Sequence, residues 1–425
     1  MTRKPTLAII GTGISGLACA HFLQKDFDLS IFEKDNRIGG HSNTVEVEES
    51  GKQLPLDTGF MVYNEVTYPL LTRLFQQLGV ETKPTCMSFS VRHEPGNVEF
   101  NGGSLNLLFA QRKNLLNPRF WRMLARINRF NKETVAELAD PRFPNLSLAE
   151  YVTARNYGAD FLSWYLSPMA AAVWSSPPQR IKSFPAHTLM RFWQNHGFLG
   201  LNTQHPWRTV IDGSRQYVKK ISAPFAEKIQ RDNAVLTVHD NNTLTLADGS
   251  ATPAYDRIIL ASHGDQSLKL LAAPTSLETE LLADFPYQPN QAIVHTDPGV
   301  MPRTRLAWAS WNYQVSPAPD GTERYSTHYW MNSLQGISQD RNYFVSINPA
   351  AEIPEEKVIH RLTYEHPLFD LKATAAQARI PELHLAGHQT NRFYCGAWQR
   401  YGFHEDGIWS AYRLCHEILN RDPWS

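Results

Sequence analysis

A glycine-rich turn, GTGISG, follows directly on a short apolar run near the start of the chain, and few folds accommodate that combination. The run at 6–10, TLAII, is typical of a buried parallel strand. Gly11, Gly13 and Gly16 have the GxGxxG spacing, and the residues after them show helical apolar periodicity. The segment DLSIFEK is predicted as a second strand that ends at Glu33, 22 residues after Gly11. This order predicts a Rossmann βαβ unit.

The same residues predict a bound dinucleotide. The first glycine permits the tight turn, the second lets a pyrophosphate approach the backbone, and the third lets helix and strand pack closely. The helix N-terminus offers free N–H groups and a positive dipole end to the phosphates. The carboxylate of Glu33 is placed to accept hydrogen bonds from a ribose hydroxyl. The turn alone does not distinguish NAD from FAD.

The residues that follow Glu33 indicate FAD. The segments KDNRIGGHSNT at 34–44 and LPLDTGFMVYN at 54–64 resemble those of the flavin-containing amine oxidoreductase superfamily, which includes monoamine oxidases, protoporphyrinogen oxidases and phytoene desaturases. In that superfamily an ExxxRxGG-type extension wraps the FAD, and Glu33, Arg37, Gly39 and Gly40 match it. His41 stands where arginine is frequent. We favour a hydrogen-bonding role for His41 over covalent attachment of the flavin.

Two later segments extend this prediction. Residues 234–262 alternate apolar and polar positions around NN and DG turns, which predicts a β-meander followed by a buried strand. Near the C-terminus, LHLAG is predicted as a strand that ends at Gly387, and GFHEDG precedes a final helix. Free N–H groups at that helix start suit the negative charge of a reduced flavin. The superfamily ends in the same way, although His388 stands where many members have Glu or Asp.

Motif and resemblance together predict one set of cofactor-binding residues. The set is Gly11, Gly13, Ile14, Ser15, Gly16, Glu33, Lys34, Arg37, Gly39, Gly40, His41, Gly59, Phe60, Met61, Val235, Ala261, Ser262, Gly387, His388, Glu405, Asp406, Gly407 and Ile408.

The predicted fold is α/β, with a discontinuous Rossmann-type FAD-binding domain (GR2-like) and an inserted α+β substrate domain. We assign residues 1–75, 206–267 and 381–425 to the FAD-binding domain. Residues 76–205 and 268–380 are assigned to the substrate-binding domain. The length of 425 residues suits two joined domains. The segment 146–200 is rich in Trp, Phe, Pro and Met, so we expect an apolar pocket beside the flavin there.

Charge and cysteine content restrict partners and location. Lys+Arg and Asp+Glu are both 41, so no global field attracts nucleic acid. The four cysteines form no CxxC pair or metal-ligand spacing, which favours a cytoplasmic protein with reduced thiols and no metal. No apolar run reaches the length of a membrane span. Residues 105–132, however, carry seven basic and no acidic side chains. Asn117 and Pro118 suit the start of a helix there, and the helix would have one apolar face. The segment is predicted either to bind peripherally to the anionic inner face of the membrane or to be an ordinary helix with a solvated basic side.

The predicted reaction is flavin-dependent dehydrogenation. LDTGFMVYN and YGFHEDG look most similar to a bacterial branch related to the flavoprotein segment of plant cyclopropane fatty acid synthases, which implies an acyl chain of a modified fatty acid or phospholipid as substrate. A flavin amine oxidase acting on a small amine and a non-redox flavoprotein isomerase remain alternatives, and a plain NAD-binding module is the weakest one. The candidate catalytic residues flank the flavin motifs: Tyr63, Tyr394, Trp398, Tyr401, His404 and Glu405. Of these, His404 and Glu405 are candidates for general acid or base.

Overall fold

The computed structural model describes residues 3–140, 145–174, 178–200 and 203–425. Its strands are β1 (Thr6–Ile10), β2 (Asp28–Phe32), β3 (Thr44–Glu49), β4 (Lys52–Asp57), β5 (Tyr63–Asn64), β6 (Thr82–Thr85), β7 (Phe89–His93), β8 (Val98–Asn101), β9 (Trp207–Val210), β10 (Ile229–Gln230), β11 (Val235–Val238), β12 (Leu244–Leu246), β13 (Arg257–Leu260), β14 (Tyr287–His295), β15 (Trp311–Pro317), β16 (Glu323–Trp330), β17 (Phe344–Ile347), β18 (Val358–Pro367) and β19 (Arg392–Tyr394). Its α-helices are α1 (Ile14–Leu23), α2 (Pro69–Leu78), α3 (Leu105–Leu108), α4 (Pro118–Glu137), α5 (Leu148–Ala154), α6 (Ala159–Phe161), α7 (Ser167–Trp174), α8 (Pro178–Lys182), α9 (Ala186–Asn195), α10 (Arg215–Ser222), α11 (Gly264–Leu270), α12 (Ser276–Leu282), α13 (Met331–Leu334), α14 (Leu371–Thr390) and α15 (His404–Leu419).

The first sheet is parallel and has the strand order β10-β2-β1-β13-β19. Its central strand β1 is buried on both faces, as Leu7, Ala8 and Ile9 show by their complete burial. Helix α1 connects β1 to β2, so the predicted βαβ unit is confirmed. The meander prediction is confirmed as well, because β11 and β12 form an antiparallel pair ahead of the buried strand β13.

The second sheet has the order β18-β14-β17-β16-β15-β7-β8. Its pairs are antiparallel except for the parallel pair β7 and β15. These strands come from 89–101 and 287–367, and helices from 148–195 share a hydrophobic core with them. The predicted fold class, a Rossmann-type domain with an inserted α+β domain, is confirmed. The domain boundaries themselves stay a prediction.

The prediction of a strand at 383–387 is wrong. These residues belong to α14, and the last strand of the parallel sheet is β19, which begins at Arg392. The buried positions of α14 show why, because Ala373, Ala376, Ile380, Leu383 and Gly387 recur every three or four residues. A short apolar run such as LHL fits a helix as well as a strand, and the longer helical period was the better guide.

A buried carboxylate connects the two domains. Asp57 accepts hydrogen bonds from the backbone and hydroxyl of Ser214 and from Oγ1 of Thr44. It also accepts one from Nε2 of Gln335, which follows α13 beside the second sheet, at 2.7 Å. Burial nevertheless raises the pKa of Asp57. The contact ties the end of β4 to the start of α10 and to the residue that follows α13.

Helix α4 begins at the predicted residue, with Oδ1 of Asn117 accepting from the backbone of Arg119 at 3.0 Å. Of the apolar face predicted for this helix, Phe120, Met123 and Phe130 are buried, and Leu124 and Ile127 are partly buried. No helix within the described ranges is long and apolar enough to cross a bilayer. The four cysteines are free thiols.

Candidate active site

A cavity of about 900 Å³ lies at the carboxyl ends of the parallel strands and reaches the second sheet. This is the edge at which open α/β sheets bind their ligands. The volume is within the range of cofactor and small-molecule pockets. Fifteen of the residues predicted to bind the cofactor line it together: Gly11, Gly13, Ile14, Ser15, Glu33, Lys34, Arg37, Gly40, His41, Gly59, Phe60, Met61, Val235, Ala261 and Ser262.

The glycine turn leaves room for a ligand at one position. A Cβ at Gly13 would meet no protein atom within 4 Å, although Gly13 lines the cavity. No side chain caps the helix that begins directly after it. A Cβ at Gly16, in contrast, would come within 2.0 Å of the carbonyl oxygen of Gly11. Gly13 therefore provides an open approach to free N–H groups, as a pyrophosphate requires, while Gly16 provides close packing.

Glu33 is held at the cavity wall by backbone hydrogen bonds. Its Oε2 accepts from the amide of Thr12 at 3.0 Å, and its Oε1 accepts from the amide of Asp35 at 3.0 Å. A carboxylate has about four acceptor positions, so it retains capacity for ribose hydroxyls. The preceding strand places it where the sequence predicts it.

His41 lines the cavity and has a ring nitrogen without a hydrogen-bond partner among the described residues. Its Nε2 is buried and makes no hydrogen bond to any residue that the structure describes. Burial, followed by the neighbouring His366 and His263, holds the pKa of His41 well below its usual range, so the ring is neutral. A buried, unpartnered Nε2 atom in the same cavity as the open approach at Gly13 fits a bound ligand that supplies the missing hydrogen-bond partner. The described residues therefore fit FAD.

The C-terminal segment contributes other residues than predicted. Gly387 packs against β19, and His388 is exposed and lies 3.1 Å from Glu417. Neither lines the cavity. The turn after β19 supplies Gly396, Ala397 and Trp398 instead, and these follow the true last strand.

His404 is the one residue of the final helix that reaches the cavity among its described lining residues. Its ring stacks on Phe60, with centroids 3.8 Å apart, and its Nε2 lies 2.8 Å from Oγ of Ser42 and 3.1 Å from the hydroxyl of Tyr217. Burial lowers the pKa of His404 to about 3. The imidazole is thus neutral at pH 7 and a weak base.

Glu405 points away from the cavity. Its two carboxylate oxygens accept from the amides of Leu70 and Leu71, each at 3.0 Å, and so cap helix α2. Asp406 accepts from the amide of Phe403 at 2.9 Å. Burial raises the pKa of Glu405 to about 7 and that of Asp406 to about 6. Both line a separate open cleft of about 1070 Å³.

Gly407 and Ile408 lie outside the cavity, as do Gly16 and Gly39 in the N-terminal motif.

The six candidate catalytic residues divide into two groups. Trp398, Tyr401 and His404 line the cavity. The others, like Glu405, lie outside it: Tyr63 donates from its hydroxyl to Thr82, and Tyr394 donates to Glu278 at 2.5 Å. Tyr63 and Tyr394 are buried packing residues, for which the sequence offers no distinguishing pattern.

The far part of the cavity, which we call the apolar compartment, consists of residues that the motifs did not reveal. Helices α7 and α9 and strands β15, β16 and β17 supply only uncharged lining side chains: Val173, Trp174, Phe192, Trp311, Tyr329 and Ile347. The charged lining residues lie elsewhere, on the turn after β2, on α11 and on β18: Glu33, Lys34, Asp35, Arg37, Lys269 and Glu365. The aromatic content of 146–200 was the available sequence indication.

Replacing Glu405 by glutamine should change how stability depends on pH. A folded-state pKa of about 7, raised from 4.5, means that the folded protein binds this proton more tightly than the unfolded chain. The wild-type free energy of unfolding should therefore fall as pH rises from about 4.5 to about 7. The Glu405→Gln variant has no carboxylate to ionise, so its free energy of unfolding should not fall in this way. At pH 8 it should exceed that of the wild type by up to about 3 kcal/mol, less about 1 kcal/mol for the weakened cap of α2. Urea denaturation at pH 5 and pH 8 measures this.

Exposed Glu227 provides the control, since Glu227→Gln should leave the pH dependence unchanged. Parallel curves for wild type and Glu405→Gln would show that Glu405 ionises in the folded protein as it does in water.

Comparison with known proteins places these features in context. A family model described as flavin containing amine oxidoreductase matches residues 14–343. A comparison with curated protein sequences gave no match. Among solved structures, the chain is similar to cyclohexylamine oxidase from Brevibacterium oxydans IH-35A, at 15% identity and a TM-score of 0.66, over 98% of this chain and 100% of that chain.

Two further solved structures share the fold at similar distance. A UDP-galactopyranose mutase in its reduced form is 14% identical with a TM-score of 0.67, over 98% of this chain and 96% of that chain. A CLA-producing fatty acid isomerase from P. acnes is 15% identical with a TM-score of 0.66, over 99% of both chains. The three names describe three different reactions, so the shared fold leaves the substrate open.

Proposed function

Because this chain belongs to the flavin-containing amine oxidoreductase family and is an FAD-dependent oxidoreductase, we propose that it dehydrogenates an acyl chain of a modified fatty acid or phospholipid. When bound, FAD supplies the two-electron redox chemistry that protein side chains lack. We assign its binding to the cavity-lining residues of the glycine turn, Glu33, the segment around His41, and the Ala261 and Ser262 pair.

The apolar compartment is the observation that carries this proposal. Val173, Trp174 and Ile347 belong to a wall on which every lining group is uncharged. Each methylene of an acyl chain buried there gains ~0.8 kcal/mol, so such a wall favours a long hydrocarbon over a small cation. The lining lysines, Lys34 and Lys269, lie at the other end, and Lys269 pairs with Asp265 at 2.9 Å. This arrangement argues against the amine oxidase alternative.

We propose a positioning role for His404. Since its pKa of about 3 makes it a poor proton acceptor at pH 7, its hydrogen bonds to Ser42 and Tyr217 and its stacking on Phe60 fix one wall of the cavity. Trp398, held by a hydrogen bond from its Nε1 to the carbonyl of Ser262 at 3.2 Å, fixes another. In the dehydrogenation, the substrate would lose a hydride, which bound FAD would accept, and a proton, which would pass to water as the double bond forms.

A second candidate is isomerisation of a double bond in the same kind of acyl chain, without net oxidation. It is supported by the likeness to the fatty acid isomerase, which is the one of the three compared structures whose name states an acyl substrate. The weak basicity of His404, the position of Glu405 outside the cavity and the uncharged lining of the apolar compartment also leave no evident strong base beside an acyl chain bound there, among the described lining residues. Both candidates place the acyl chain in the apolar compartment.

One experiment distinguishes these functions. Holoenzyme is mixed without oxygen with phospholipids that carry methyl-branched or unsaturated acyl chains, and flavin absorbance near ~450 nm is followed. Dehydrogenation should bleach the flavin and yield a lipid that lacks two hydrogen atoms by mass spectrometry. An unbleached flavin with a product of unchanged mass would assign isomerisation. Bleaching by a panel of small amines but by no lipid would refute the acyl proposal.

We also propose that the enzyme meets its lipid as a peripheral protein at the cytoplasmic face of a membrane. The basic segment 105–132 supports this location, because anionic lipids attract clustered cations.

A further inference from the structure

The segment 105–121 exposes large apolar side chains to solvent. Leu105 is 77% exposed, Leu115 48%, Leu116 90% and Trp121 50%. The other large apolar side chains that are exposed within the described ranges are scattered along the chain: Val66, Val135, Leu236, Leu306 and Leu385. Scattered exposed apolar residues are ordinary, whereas a local group of them marks a surface that binds something.

A local hydrogen bond and a buried core hold the turn that carries these exposed side chains. Nε1 of Trp121 donates to the carbonyl of Leu115 at 2.9 Å, which ties the start of α4 to the preceding turn. Phe109 and Phe120 of the same segment point inward and are buried in a core cluster with Met123. The turn is therefore anchored from below while the leucines at its tip stay exposed.

The charges around the tip are mostly positive, although Asp160 also lies there. Arg119 pairs with Asp160 at 2.6 Å. Lys113 and Arg122 are exposed, and neither pairs with a carboxylate in the part of the chain that the structure describes. We call Leu115, Leu116, Trp121, Lys113 and Arg122 the basic-apolar patch.

We propose that the basic-apolar patch docks the protein on an anionic lipid bilayer. Leu115, Leu116 and the ring of Trp121 enter the interfacial region, and Lys113 and Arg122 contact the anionic head groups. Charge complementarity favours this partner, since the whole segment 105–132 has seven cations and no anion in a chain of zero net charge. The contact is superficial, because no described helix is suited to cross the bilayer.

This inference deepens the peripheral location proposed above and rests on it, but it does not depend on the reaction catalysed. Docking is measured without turnover, so a failed lipid oxidation leaves the docking result intact. A failed docking result likewise leaves the flavin-bleaching experiment intact.

Vesicle flotation of the full-length holoprotein tests the proposal. Wild type should float with vesicles of phosphatidylcholine and phosphatidylglycerol and stay at the bottom with phosphatidylcholine alone. The pair Lys113→Glu and Arg122→Glu should lower partitioning at least about tenfold, since one cation near the surface contributes about fivefold. The pair Leu115→Ser and Leu116→Ser should lower it by a similar factor.

Matched variants serve as controls. Leu236→Ser with Leu385→Ser removes two leucines that are 53% and 72% exposed, and Lys52→Glu with Lys372→Glu reverses two exposed charges. Both should float as the wild type does. Unchanged FAD content and Tm in every variant would exclude unfolding as the cause of a loss.

Three results would overturn the proposal. They are wild type that does not float with anionic vesicles, equal flotation with neutral vesicles, and undiminished flotation of the leucine variant. A concentration-dependent dimer that the leucine variant abolishes, in the absence of vesicle binding, would assign the patch to contact between copies of the chain.

Discussion

The Gly13→Val variant is expected to purify as a folded protein that has lost its yellow cofactor. Gly13 has φ −64° and ψ 178°, which valine adopts without strain, and a Cβ there meets no protein atom within 4 Å. The branched side chain instead fills the open approach to the N-terminus of α1. Losing two charge-assisted hydrogen bonds to a pyrophosphate costs about 4 kcal/mol, which raises the Kd for FAD about 1000-fold.

FAD content of the purified protein and titration of the apoprotein measure this effect. Gly13→Ala should weaken FAD binding in the same direction by a smaller factor. Gly16→Ala is the matched control at the same turn, and it should lower the Tm because its Cβ would lie 2.0 Å from the carbonyl oxygen of Gly11. A Gly13→Val protein with full FAD content would show that the cofactor phosphates bind elsewhere.

The Val173→Trp variant is expected to keep FAD and to lose most of its activity on acyl substrates. Val173 lines the apolar compartment, away from the glycine turn. An indole in place of an isopropyl group displaces roughly three to four substrate methylenes, at ~0.8 kcal/mol each. The expected loss of ~3 kcal/mol corresponds to a fall in kcat/KM of about 100-fold.

Anaerobic flavin reduction by the proposed lipid substrate, measured at several lipid concentrations, checks this prediction. Val135 is 46% exposed on α4, so Val135→Trp adds the same bulk outside the cavity and should leave the rate unchanged. If Val173→Trp reacts with lipid as fast as wild type, the acyl chain does not enter the apolar compartment. Unchanged turnover of short-chain analogues alone would limit the block to the distal end of the chain.

Much of the cavity lining could be predicted because its determinants are local. The turn with Gly11, Gly13 and Gly16, the strand before it and Glu33 all fall within the first 33 residues. The final helix, predicted from the pattern GFHEDG and the apolar spacing after it, begins at His404. Each of these depends on backbone conformation and on neighbours a few residues away, which the sequence displays directly.

The errors and omissions have a different origin. The strand predicted at 383–387 rested on a five-residue pattern that fits two periods, and only the packing of α14 against β19 decides between them. Glu405 was predicted at the flavin because it begins the last helix. It turns instead to the amides of Leu70 and Leu71, more than 300 residues away in the chain.

The sequence by itself determined the parallel βαβ unit and the starts of α1 and α4, because short-range hydrogen bonding and periodicity fix them, while the resemblance to a known family indicated FAD. Only the tertiary structure decided which side chains share a cavity. The apolar compartment combines side chains of α7, α9, β15, β16 and β17. The basic-apolar patch is exposed because Phe109 and Phe120 of the same segment are buried in a core cluster. Such groupings come from contacts between residues far apart in the chain, for which no local spacing exists.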